Sequence, residues 1–120
     1  MTFSVDVVLK GRDFAVTESV TVPHGDPRTW SDAAVRDVLV EILRAIDRVQ
    51  NPQTAGERQV ILQGFSWIVE PADRDVVIAI EIPMGAAVAG PFRIDQPLLD
   101  AMIARVLRAE RQSRAPQTVH

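Results

Sequence analysis

Cysteine is absent from the 120 residues. That excludes disulfides, thiolate nucleophiles and thiolate metal sites, and it favours a reducing, cytoplasmic setting. Histidine is nearly as scarce. Of the two present, only His24 lies outside the C-terminal tail, too few for a metal site of three or four ligands. No metal and no cofactor are therefore expected. Lysine occurs once, at Lys10, against twelve arginines, an imbalance that reads as codon usage before it reads as function. The most apolar stretch, VVIAIEIPMGAAVAG, is broken by Glu81, Pro83 and Gly85, so no membrane insertion is expected. The opening MTFSVDVVLKGRD has no basic stretch leading into an apolar run, so no secretory signal is expected. GxGxxG, Walker and GxSxG patterns are all missing. With a net charge of −3, the chain gains nothing from general phosphate attraction, and a nucleic-acid partner is not expected.

What remains is an ordinary globular composition, 47% hydrophobic and 24% charged, long enough for one core. A single α+β domain is expected over residues 1–112, with a flexible tail over 113–120. Phe3, Val5, Val7 and Leu9 alternate with Ser4, Asp6, Val8 and Lys10, the period of a half-buried strand. After a Gly11-Arg12-Asp13 turn, a second strand sets Phe14, Val16, Val20 and Val22 on one face, and the two read as a hairpin. Pro23 to Pro27 stops the sheet. With Thr29 or Ser31 as its cap, a helix follows in which Val35, Val38, Leu39, Ile42, Leu43, Ile46 and Val49 share one stripe. Further strands are expected at Gln59–Val69, Val76–Ile82 and Ala86–Ile94. The last of these is placed at an edge because it carries Pro91. Asp95 precedes a final helix with an apolar stripe from Leu98 to Leu107.

The expected architecture is a two-layer ββαβββα sandwich, with a mostly antiparallel five-stranded sheet and two helices on one face. An internal echo points to a ββα duplication. VVLKG at Val7–Gly11 is answered by VILQG at Val60–Gly64, and VTVPHG at Val20–Gly25 by IEIPMG at Ile80–Gly85. From Phe3 to Arg111, the element order resembles that of longin and roadblock-type domains. These are small modules that dimerise or dock on GTPases and on trafficking or polarity machinery. The resemblance is one of topology. It implies an interaction module and assigns no site residues.

Two helices shield one sheet face, so the other should be polar if it meets water. The first hairpin obeys this rule, but the third and fourth strands do not. An apolar open face centred on Phe65, Trp67 and Val77 is expected, continued by Met84, Val88 and Phe92 along an edge. Such a patch suits a second copy of the chain or another protein subunit. The competing expectation is that the chain covers this face itself. The leading functional expectation is therefore a non-enzymatic adaptor, regulator or accessory subunit, homodimeric or part of a larger complex. The alternative is a small ligand or enzymatic site where the Pro-His-Gly and Pro-Met-Gly loops converge, lined by His24, Asp26, Glu81 and Arg93. Glu18 interrupts an inward apolar series, and a bulge turning it outward is the expected remedy. Arg105, Arg108, Arg111 and Arg114 step along the last helix and complement its dipole.

Overall fold

Strict alternation builds the first strand: along β1 (Thr2–Leu9), every second residue from Phe3 to Leu9 is buried and the intervening ones are exposed. The computed structural model describes residues 1–53 and 60–114. The remaining elements are β2 (Val16–Thr21), a short 3-10 helix (Pro27–Thr29), α1 (Asp32–Gln50), β3 (Ser66–Ala72), β4 (Asp75–Ile82), β5 (Gly85–Phe92) and α2 (Gln96–Arg114). The five strands form one sheet in the order β2-β1-β5-β4-β3, antiparallel at every pairing. This is the ββαβββα architecture that the sequence implies.

Between sheet and helices lies one core. Val5, Val7, Ile78, Ile80 and Ala89 from the sheet meet Val35, Val38, Leu39 and Ile42 of α1 and Leu99 and Ile103 of α2. Ser31 caps α1, its hydroxyl accepting from the Ala34 N–H at 3.2 Å. The helices are joined at their outer faces by two charged contacts. Arg105 grips Asp32 with two 2.9 Å bonds, and Arg36 pairs with Glu110. An aromatic cluster closes one end. Phe92 meets Phe3 and Trp30 edge to face, with centroids 5.0 and 5.2 Å away. The Trp30 indole donates to the Gly25 carbonyl at 3.1 Å.

Several expectations need correction. β5 is not an edge strand, since it pairs with β1 on one side and β4 on the other. Pro91 is accommodated by a bulge: Val76 faces Phe92 and Ile78 faces Ala89, so Gly90 and Pro91 stand against Val77 alone. Gly90 takes φ +124°, a conformation L side chains rarely adopt, and its peptide bond to Pro91 is cis. The actual edges are β2 and β3. Gly85 is also held by close packing, because a Cβ there would lie 2.4 Å from the Val8 carbonyl oxygen.

The third strand begins late. Residues 60–65 form no strand, and Gln59 lies outside the described residues. VILQG therefore is not a strand end like VVLKG, and the two segments share only a terminal glycine of positive φ, +85° at Gly11 and +78° at Gly64. IEIPMG leads from β4 into β5, whereas VTVPHG leads from β2 towards α1, so nothing in the fold supports the duplication. β2 keeps an unbroken register with β1, Glu18 opposite Val5, and no bulge turns Glu18 out. Instead it stays on the helix side and accepts from Arg48 Nε at 2.9 Å. Phe14 precedes β2 and is exposed, with the Arg12 guanidinium 5.9 Å from its ring centre. The last helix runs through Arg114, so Ser113 and Arg114 of the expected tail are helical; residues 115–120 lie outside the described residues. Among the described residues, no helix is long and apolar enough to cross a membrane.

Candidate functional site

The sheet face turned away from the helices has three cross-strand rows that can be followed through the register. The first runs Ser66, Glu81, Ala86, Val8, and the second Ile68, Ala79, Val88, Asp6, Thr17. A third begins Glu70, Val77 and resumes at Ser4, Ser19. On the β1–β2 side the face is hydrophilic, with the Thr17 hydroxyl donating to Asp6 at 2.6 Å. From β5 to β3 it is largely aliphatic, although Ser66, Glu70 and Glu81 also stand on it and Ser66 and Glu81 line its hollow. Ile68 is 52% exposed, Val88 42% and Val8 41%, and Val77 and Ala79 are half-buried. Because Ala79 and Ala86 are short, the surface sinks between Ile68 and Val88 into a depression of about 290 Å³. A raised isoleucine thus stands next to a shallow hollow.

The apolar open face is present, but its membership differs from the sequence expectation. Trp67 pairs with Ile80 and faces the helices, half-buried beside α2; Phe65 also packs against the core. The parity of the third strand is inverted, so Ile68 takes the outward place expected of Trp67. Val77 and Val88 do face outward. Met84 is exposed in the β4–β5 turn, and Phe92 is fully buried against Phe3 and Trp30, which removes it from any surface.

The alternative set does not assemble either. β1 and β2 pair Thr2 with Thr21, while Val76 pairs with Phe92. His24, Asp26 and Arg93 therefore lie at one end of the sheet. Glu81 and the Pro83–Met84 turn lie at the other, where the Lys10 N–H meets the Met84 carbonyl. The two loops do not converge. At the first end, His24 Nε2 lies 2.8 Å from Asp37 Oδ2, and Arg93 Nε lies 3.6 Å from Asp75. Arg28 holds Asp26 through its side chain, at 2.6 to 3.1 Å, and its backbone N–H. These bonds favour the carboxylate and lower the Asp26 pKa to about 2. Among the described residues no hydroxyl is hydrogen-bonded to His24, and no group of three or more His, Cys, Asp or Glu residues is placed to hold a metal ion. The loop cluster is a set of ion pairs, with the Thr29 hydroxyl donating to the Asp26 carbonyl at 2.7 Å.

A feature missed by the sequence reading is a groove of about 350 Å³ between α2 and the chain entering β3. Phe65, Trp67, Ala104, Leu107, Arg108 and Arg111 are among its walls. Its signal is the spacing 104, 107, 108, 111 on one helix side, which the sequence obscures by allowing Trp67 on either face of a strand that is apolar at both parities.

Comparison with family models, with curated proteins and with solved structures finds no match for this chain.

Proposed function

We propose that the chain is a non-enzymatic interaction module that docks through the outer face of its sheet on a second copy of itself. One observation carries the reading: a protruding Ile68 beside the hollow over Ala79 and Ala86, on a face that no part of the described chain covers. Two copies related by a twofold axis can each seat the isoleucine of the other in that hollow, the self-complementarity an isologous interface requires. Burying this aliphatic surface supplies the driving force. The Asp6 and Thr17 side then forms a polar rim, the usual surround of such a core. At the edges, Pro71 and Glu70 guard β3 against strand addition, which favours docking through the face over docking through this edge.

The test is the mass in solution by light scattering, at concentrations on the order of 100 μM, enough to populate a micromolar complex. The wild type should show twice the 13.2 kDa of one chain. Ile68→Lys should shift it to a single-chain mass while leaving the circular dichroism unchanged, and Ala79→Leu, which fills the hollow, should weaken association. A wild type that stays at single-chain mass throughout overturns self-association.

A further inference from the structure

The groove between α2 and the entry to β3 has both the shape and the charge of a small-molecule site, and it lies on the helix side of the sheet, away from the proposed docking face. Its volume of about 350 Å³ is within the range of ligand pockets. Phe65, Trp67 and Leu107 give it an apolar wall, and the short Ala104 leaves the helix side open. Arg108 and Arg111, one turn apart, form its rim.

These two arginines are the ones on the groove's rim, and, like Arg12 and Arg74 elsewhere, they are tied to no carboxylate among the described residues. Arg36, Arg44, Arg48 and Arg105 each hold a carboxylate of Glu110, Glu41, Glu18 and Asp32 respectively. Arg108 and Arg111 hold none among the described residues. Two unpaired guanidinium groups over an aromatic and aliphatic wall match a molecule with an apolar body and one anionic head.

We propose that this groove binds a small amphipathic acid, its apolar body against Trp67 and Leu107 and its carboxylate between Arg108 and Arg111. The two parts reinforce each other. The wall excludes water from one side of the head group, and the guanidinium pair fixes which end of the ligand enters. A neutral chain of the same length keeps only the apolar contact.

The indole N–H resonances of the full chain, read by nitrogen–proton NMR, give a direct test. Trp67 lines the groove, whereas Trp30 is buried at the Gly25 end and serves as an internal reference. Titration with decanoate should shift the Trp67 signal saturably and leave Trp30 in place. Decanol should bind more weakly, roughly fivefold, as loss of a partly exposed ion pair implies. The double variant Arg108→Gln with Arg111→Gln should lose a similar factor for decanoate and nothing for decanol, its intact fold shown by an unmoved Trp30 signal. Ala104→Phe, which fills the groove, should abolish the response to both. Vesicles of phosphatidylglycerol separate a free acid from a membrane lipid as the source of the head group. A response to vesicles without one to dissolved decanoate overturns the proposal, as does equal affinity for decanol or an unchanged double variant.

Discussion

Phe92 shows how a single side chain's placement changes its meaning. In the sequence it closes an apolar, glycine-bearing segment and reads as surface; in the fold it is fully buried between Phe3 and Trp30. Phe92→Ala should therefore destabilise the protein by about 4 kcal/mol, the cost of a large cavity in a packed core. Urea unfolding should show a lower midpoint at unchanged slope; a loss below about 1 kcal/mol would mean that the ring is not enclosed. Asp26 makes a different prediction. Its pKa is depressed to about 2 chiefly by the Arg28 side-chain bond, then by the Arg28 backbone N–H. A depressed carboxylate stabilises the fold fully above its unfolded pKa near 3.8. That contribution drains away as pH falls through the window from there to about 2. Arg28→Ala should move the Asp26 carboxyl midpoint back up towards 3.8, read by carbon NMR. A midpoint still near 2 would place the cause elsewhere.

Periodicity makes an element legible where one face is buried and the other wet. β1 and the stripe of α1 meet that condition: Phe3, Val5, Val7 and Leu9 are buried, as are Val35, Val38, Leu39, Ile42 and Ile46, with Leu43 and Val49 half-buried at the margin of the stripe. Ser31 was one of two caps open in the sequence, and the structure uses it. Ser31→Ala should lower stability by about 1 kcal/mol, with the loss appearing in amide exchange at the first turn of α1; an unchanged first turn would make the cap dispensable. The third strand failed the same test. From Val60 to Val69 the chain is apolar at both parities, so nothing local fixes its register. Pairing does, by setting Trp67 against Ile80, and that long-range contact is not written in the segment itself. Pro91 misled for a related reason. Proline argues for an edge only when the ladder is regular, and a bulge at Gly90 and Pro91 removes that condition. Glu18 broke an apolar pattern, and its remedy was Arg48, thirty residues away on α1. A residue whose partner is so distant in sequence cannot be read from its neighbours.

At the scale of the whole molecule, one layer of helices covers one sheet face, and the other keeps an aliphatic half. Composition and strand pattern were enough to anticipate that imbalance. They were not enough to list the patch: Val77 and Val88 were foreseen, Val8, Ile68 and the alanine hollow were not, and Phe65 and Trp67 belong beside α2 instead. The groove and the hollow lie on opposite faces of the sheet and meet only at Trp67 of β3, so addition of decanoate should leave the oligomeric mass unchanged. The most direct measurement is an isotope-filtered NOE experiment on a mixture of differently labelled chains. The account predicts intermolecular cross-peaks between the methyl groups of Ile68 and those of Ala79 and Ala86. Their absence in a sample that light scattering shows to be dimeric, or cross-peaks from the helix side instead, would contradict it.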